Sequence, residues 1–474
     1  MRYSPAHSMA SRDGITVEGD ASTSPRVTRM NLSASSSAPV ARLTLTTEFA
    51  LGASPAPARN APHENFPTEA RWSPDGVCLL TSGAEDCVFR VYDVPAPVSD
   101  PVKTRASRDG NETASPRRSS SASDDGSTDN ADPPPDALWP ALRIRAGESA
   151  RDVAWLPTMR AHDTRTCLFA SVCKSQPVHL WSVVDGSVAA SYGAKNRLDE
   201  PTDFSAVCFS RDGSRVFAGA ADAIRSWDLT RPGYHDCETF WMRHVRASRG
   251  GSRRRDAFGA PPSSSSFRGP VVTMACAPET GATARVIAAG AVGGATALFH
   301  EDTGEMLMAF EVEDTRNAVT RVRWSPCGTY LYAARRRDAA VKCWDARKTS
   351  AGCVYEMGRV SGSTNQKIGF DIEPCGRHMV SGGTDGVLRA FDLRDGAEKA
   401  AWRASDASEA VSDFAFHPGA SWGEPRDAAA PFAGFGASVS GHRRFKSELI
   451  DENTTTASDP VCALRVWQYD VVSY

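Results

Sequence analysis

From residue 41 onward, between polar tracts, the chain is built from short apolar runs bounded by turn residues such as Pro and Gly. Two patterns alternate. One is an aromatic or apolar residue followed closely by a turn ending in Gly, as in RWSPDG 71–76, CFSRDG 208–213, RWSPCG 323–328, FDIEPCG 370–376 and FHPG 416–419. Weaker copies are AWLP 154–157 and ACAPETG 275–281. The other is a short alternating strand that closes on an aromatic: VFRVYDV, VHLWSV, AIRSWDL, ATALFHE, VKCWDA, VLRAFDL and LRVWQYD. The closing aromatics are Tyr92, Trp181, Trp227, Phe299, Trp344, Phe391 and Trp467, separated by 89, 46, 72, 45, 47 and 76 residues. Three of these spacings approach the roughly 40–45 residues of a four-stranded blade. The three longer ones contain the polar tracts 100–137 and 248–266 and a stretch rich in Asp, Ala, Gly and Thr at 421–458.

Removing those tracts restores one period, which predicts an all-β, seven-bladed WD-repeat β-propeller. The Pro-Asp-Gly and Pro-Cys-Gly turns suit hairpins, because Gly accepts positive φ and Pro is excluded from a central ladder. Trp72 and the seven closing aromatics are the expected packing anchors between blades; Trp227-Asp228 and Trp344-Asp345 are the clearest Trp-Asp pairs. The last repeat lacks an outer strand, and LTLTTEF at 43–49 is the segment expected to supply it. The predicted organisation is a disordered tail over 1–41 and a propeller over 42–474, with disordered insertions at 100–137 and 248–266 and a long variable loop at 421–458.

Composition narrows the function more than the fold. The 54 basic and 57 acidic residues leave a formal charge of −3, so nucleic-acid binding would have to come from a local basic surface. The 12 cysteines form no CxxC pair and mostly lie in apolar runs, as expected of reduced thiols in a nuclear or cytosolic protein. The amino terminus lacks the apolar run of a signal peptide, and no apolar stretch reaches membrane-spanning length. No metalloprotease, P-loop, nucleophile-elbow or dinucleotide motif occurs, and the ten histidines show no metal-ligand spacing. The expectation is a non-enzyme without cofactor or metal.

Three basic clusters are candidate contacts for phosphates. Arg335, Arg336 and Arg337 fall in a hairpin turn at a blade rim; Arg253, Arg254 and Arg255 lie in the second insertion; Arg443, Arg444 and Lys446 precede the last strand. Tyr330 and Tyr332 would stack bases if exposed and serve the sheet core if not. The stretch STNQK at 363–367 stands apart, because Asn365, Gln366 and Lys367 directly precede a strand that other repeats introduce differently.

ENFPTEARWSPDG 64–76, PVHLWSVVDGSVAASYGAKNRLDE 177–200, VRWSPCGTYLYAARRRDAAVKCWDAR 322–347 and TNQKIGFDIEPCGRHMVSGGTDGVLRAFD 364–392 together resemble the telomerase Cajal body protein family. The resemblance spans about 42–474, and NRLDE and TNQKIGFD carry its specificity because generic propellers have no need of them. It implies binding of H/ACA-type small Cajal body RNA and telomerase RNA, direction of these particles to Cajal bodies in the nucleus, and assistance to telomerase ribonucleoprotein assembly alongside H/ACA core proteins. Asn365, Gln366, Lys367 and Arg335–Arg337 would then form the RNA-facing surface, the amides reading base edges and the cations holding phosphates. Two other functions fit a propeller: a substrate receptor of a cullin-type ubiquitin ligase, hinted at by Arg347 two positions after Trp344-Asp345, and a general protein-interaction scaffold.

Overall fold

A computed structural model describes residues 41–50, 66–83, 86–93, 140–196, 198–221, 223–234, 237–241, 267, 269–279, 283–311, 317–405, 409–419, 433–441 and 463–471. The tail before residue 41, the tracts 100–137 and 248–266, Arg253–Arg255, and Arg443, Arg444 and Lys446 lie outside the described residues. The described chain forms seven four-stranded antiparallel sheets. Six of them are sequential meanders. Their innermost strands are Pro67–Trp72 in blade 1, Ala150–Trp155 in blade 2, Ala206–Phe209 in blade 3, Val271–Cys276 in blade 4, Val319–Trp324 in blade 5 and Phe370–Ile372 in blade 6. The seventh blade begins with Val411–Phe416, continues through Ala433–Ser440 and Ala463–Val471, and takes its outermost strand from the other end of the chain.

That strand is Ala41–Ala50. It runs antiparallel to Ala463–Val471, from Ala41 opposite Val471 to Ala50 opposite Ala463, with a register shift between Leu45 and Thr47. The closure expected of LTLTTEF is therefore present, and the first and last described strands cover each other's edges.

The core is divided among the seams of the ring. Seven apolar clusters occur, one between each pair of neighbouring blades. Phe89, Val91 and Ile144 of blade 1 meet Val153, Trp155, Phe169 and Trp181 of blade 2, for example. The closing seam sets Ala70, Trp72, Leu79 and Tyr92 against Ala415, Ala437, Val439 and Leu464. All seven closing aromatics and Trp72 are buried. Each closing aromatic sits on the third strand of its blade, opposite a residue of the second: Leu79 faces Tyr92, Phe169 faces Trp181 and Leu331 faces Trp344. In blades 1, 3, 5 and 6 the turn between the first and second strands is closed by a glycine at positive φ: Gly76 at 77°, Gly213 at 71°, Gly328 at 70° and Gly376 at 75°.

Indoles also bind the ring in hydrogen bonds. Trp72, Trp155 and Trp324 end the innermost strands of blades 1, 2 and 5, and each Nε1 donates to a carbonyl of the preceding blade: Ala415 at 3.1 Å, Arg71 at 3.0 Å and Ala275 at 3.0 Å. Side chains near the start of the innermost strands of blades 2, 4 and 7 accept from the following blade. Asp152 takes the Val207 amide at 2.9 Å, Thr273 the Val322 amide at 3.3 Å and Asp413 the Ala70 amide at 3.3 Å. Edge amides that the sheets leave unpaired at the channel are thereby satisfied.

One part of the predicted organisation needs correction. The stretch 421–458 is not a single long loop, since Ala433–Ser440 within it forms the second strand of blade 7. Its sequence, AGFGASVS, carries few of the branched or aromatic residues that announce a strand. The reason is space: a Cβ on Gly436 would come within 2.3 Å of the Phe414 ring. Small residues here are what the neighbouring strand permits.

Deleting residues 41–50 should leave the last blade with three strands and an open edge. Limited proteolysis should then cut within blade 7 and blade 1 under conditions where the full chain resists, whereas unchanged resistance would mean that the ring holds without this strand.

Candidate nucleic-acid interface

In a four-stranded meander the start of the first strand, the turn between the second and third and the end of the fourth all lie on one face. The turn 336–339 of blade 5 and the connection 359–369 from blade 5 to blade 6 therefore share a face, here called the upper face, and so does the NRLDE connection from blade 2 to blade 3. The two segments singled out in the sequence do meet there: Arg337 is exposed and its Nη2 donates to Asn365 Oδ1 at 2.8 Å, with Asn365 exposed as well. Arg337 sits at φ 58°, in the left-handed region that a side chain seldom occupies, at the tip of the turn.

The other four candidates separate from this pair to differing degrees. Arg335 is buried, and its Nη2 donates to the Gly294 carbonyl of blade 4 while its own carbonyl accepts from Arg359 Nη2 at 2.9 Å. It is a bond between turns, not a rim cation. Arg336 is half-buried, with its amide bonded to the Ala318 carbonyl at 2.9 Å. Gln366 is also buried: Nε2 donates to Ser412 Oγ at 2.7 Å and to the Gly441 carbonyl at 2.8 Å, both in blade 7 or its edge. A carboxamide held this way reads its own fold, so the expected role of Gln366 in reading base edges is replaced by a structural one. Lys367 is half-buried and crosses the channel mouth to donate to the Arg151 carbonyl of blade 2 at 2.9 Å. Tyr332 belongs to the core, buried with its hydroxyl 3.1 Å from that of Tyr355, and the half-buried Tyr330 packs beside it.

The remainder of TNQKIGFD has an equally physical explanation. Arg321 of blade 5 and Asp413 of blade 7 form a buried two-pronged ion pair, Nη1 to Oδ1 at 2.5 Å and Nη2 to Oδ2 at 2.7 Å. Blade 6 stands between them. Gly369, at the head of that blade, is what lets them touch, because a Cβ there would lie 2.1 Å from Asp413 Oδ1 and 2.9 Å from Arg321 Cζ. Arg321 Nη1 also donates to the Phe370 carbonyl at 3.1 Å, and Asp371 accepts the Phe416 amide at 3.0 Å. The segment thus clasps blades 5, 6 and 7 from the channel side.

Around this clasp the channel carries balanced charge. Burial opposes the Arg321 cation, but Asp413 and Glu69 more than offset it and raise its pKa. Burial likewise opposes the charge on Glu69, yet Arg71, Lys367, Arg321 and Arg323 together hold its carboxyl below the usual range. Burial and the neighbouring Glu69 push Asp152 up to about 6. These groups answer one another across the channel. Among the described residues no cluster of His, Cys, Asp and Glu could hold a metal ion, and no helix is long and apolar enough to cross a membrane.

Arg151 links the clasp to the second distinctive segment. Its Nη1 donates to Asp203 Oδ2 at 2.8 Å and to the Phe204 carbonyl at 2.7 Å, in the connection that contains NRLDE. That connection is folded on itself by Asn196, whose Oδ1 accepts the amides of Leu198 at 2.8 Å and Glu200 at 3.0 Å, leaving Leu198 exposed at its tip. Arg347, in the Trp-Asp-x-Arg stretch, turns back onto Asp345 with Nε to Oδ1 at 3.0 Å and Nη2 to Oδ2 at 2.8 Å.

Comparison with known proteins agrees with the ring and with the resemblance drawn from the sequence. The model of the WD domain, G-beta repeat, matches residues 307–345. Proteins named Telomerase Cajal body protein 1 from Rattus norvegicus and Mus musculus are 28% and 29% identical over 330 residues, covering 70% of this chain and 52% of each relative. A Schizosaccharomyces pombe protein named Guanine nucleotide-binding protein negative regulator 1 is 24% identical over 336 residues, 71% of this chain and 72% of its own length. The chain spans about half the length of the Cajal body relatives it matches. It is a WD-repeat propeller similar to telomerase Cajal body protein 1.

Replacing Gly369 by Ala should force Arg321 and Asp413 apart and cost about 3 kcal/mol or more, the range found when a buried pair loses its partner. Denaturant unfolding checks this. A loss under about 0.5 kcal/mol, typical of a surface substitution, would show that the clasp is not a stability determinant.

Proposed function

We propose that this propeller is a non-enzymatic scaffold that binds H/ACA-type small Cajal body RNA and telomerase RNA on its upper face, between blades 5 and 6. In this role it would help direct the particles to Cajal bodies in the nucleus and assist assembly of the telomerase ribonucleoprotein. The observation that carries the proposal is the meeting of Arg337 with Asn365: the triple-Arg turn and the STNQK stretch, singled out separately in the sequence, converge on one exposed cation–amide pair. The similarity to proteins named for telomerase and the Cajal body supports the choice of RNA class.

Such a pair suits a loop RNA. Unstacked bases present edges that an exposed carboxamide can read, and a guanidinium beside it can hold a phosphate in two prongs. The half-buried Arg336 and Lys367 add positive potential without offering themselves fully to a ligand. Arg335 and Gln366 contribute by holding the turn and the connection in place, which makes them positioning residues for this surface.

Filter binding of an H/ACA-type RNA and a loop-scrambled control would test the assignment. Arg337→Ala should weaken both RNAs alike and lower the salt slope by about one. Asn365→Ala should narrow the gap between cognate and scrambled loops, by up to about tenfold if one base contact is lost. Gln366→Ala should lower the unfolding midpoint before it changes discrimination. If Arg337→Ala and Asn365→Ala both keep affinity and discrimination while folded, the surface lies elsewhere.

A further inference from the structure

The seam between blades 3 and 4 differs from its neighbours in a chemically specific way. At three other seams the residue ending an innermost strand is a Trp whose indole donates to a carbonyl of the preceding blade. In blade 4 the equivalent residue is Cys276, opposite Ile287 just as Trp72 is opposite Leu79 and Trp324 opposite Leu331. In blade 3 the residue one before the strand end, equivalent to Arg71, Ala275 and Ala415, is Cys208. The two sulfurs therefore meet where the indole bond would have been, with Sγ to Sγ at 3.7 Å.

We propose that Cys208 and Cys276 form a dithiol site that hydrogen peroxide oxidises to a disulfide, stapling blade 3 to blade 4 where three other seams carry an indole bond. The innermost strands that carry them lie side by side, 68 residues apart in sequence between the two thiols. The sulfurs, already in contact, have to close by less than 2 Å to reach the roughly 2.05 Å of a disulfide.

Exposure assigns the order of events. Cys276 is half-buried and Cys208 buried, so peroxide reaches Cys276 first. The Cys276 thiolate attacks one peroxide oxygen, the O–O bond breaks, and the leaving hydroxide takes up the thiol proton as water. The Cys276 sulfenic acid then meets Cys208, whose sulfur attacks Cys276 Sγ, and the displaced hydroxide leaves as water with the Cys208 proton. Two thiols are oxidised and one peroxide is reduced to two waters. The contact with Cys276 and burial both hold Cys208 well above the ordinary thiol range, so its proton leaves only in the second step, with the displaced hydroxide. The other described cysteines are thiols too, several of them more exposed, but Cys208 and Cys276 are the pair in which sulfur approaches sulfur among the hydrogen-bonded contacts described.

The full chain, treated with hydrogen peroxide and then alkylated and digested without reductant, should yield the peptide joining Cys208 to Cys276, its mass lower by the two hydrogens lost. Thermal unfolding of the oxidised protein should shift upward by a few degrees, on the order expected of a staple, and return with dithiothreitol. Cys276→Ser should abolish both the joined peptide and the shift. Peroxide that produces only sulfinic acid at Cys276, or a joined peptide only after the chain is denatured, would overturn the proposal. Because the peptide is read on the unaltered chain, a folding defect in the Ser variant would leave that first measurement decisive.

Discussion

The contact between Arg321 and Asp413 constrains more of this propeller than any single apolar cluster. It spans from blade 5 to blade 7, so it can form only if the head of blade 6 carries no side chain at Gly369 and presents its Phe370 carbonyl to the same guanidinium. Asp413 in turn accepts the Ala70 amide of blade 1, which places the first and last blades in one electrostatic unit. A buried pair of this kind adds little net stability relative to an apolar replacement, because its desolvation cost is large. Its effect is specificity: with the pair satisfied, three consecutive blades have one relative placement, and the upper-face connections above them inherit it.

Gln366 and Lys367 extend the same logic outward. Gln366 ties the connection to blade 7, and Lys367 ties it across the channel to Arg151, which holds the connection bearing NRLDE. Two segments nearly 170 residues apart are thus braced against each other around the channel mouth. What remains exposed between blades 5 and 6, Arg337 with Asn365, stands on a rigid base. Preorganised groups lose less side-chain freedom on binding, which favours the few that are presented.

The ring itself was legible in the sequence because its period is enforced by packing. Each seam has a buried aromatic anchor on a third strand, and most blades a turn glycine after the first, and these recur often enough to count seven blades and to assign 43–49 as the closing strand. The second strand of blade 7 was hidden for the complementary reason, since the Phe414 ring leaves room only for small residues opposite it. The site was legible in part. Residue type marks which side chains can contact a phosphate or a base, and adjacency in sequence grouped Arg335 with Arg337 and Gln366 with Asn365. Adjacent side chains such as Asn365 and Gln366 can point to opposite sides, and the left-handed backbone at Arg337 takes its side chain off the face that an extended chain would share with Arg335. Arg335 and Gln366 face inward, and only their partners in other blades, Gly294, Ser412 and Gly441, reveal it. Those partners are 41, 46 and 75 residues away, beyond what local pattern can show.

This division also determines how loss of the proposed RNA binding should be interpreted. A substitution at Gln366, Gly369 or Arg335 acts on the placement of the connection and so on every ligand of the upper face at once, without touching any of them. A substitution at Arg337 or Asn365 acts on the presented groups and leaves the clasp intact, apart from the one bond between the two. Because that bond joins them, their effects should not add: removing either frees the other to reorient, and the coupling belongs to the pair. Weakened affinity or narrowed discrimination in a chain of unchanged stability therefore points to the presented pair, whereas affinity and stability falling together points to the clasp. The resemblance that drew attention to TNQKIGFD thus combines two separable physical demands, one for Asn365 as part of a surface and one for the residues after it as the means of holding that surface still.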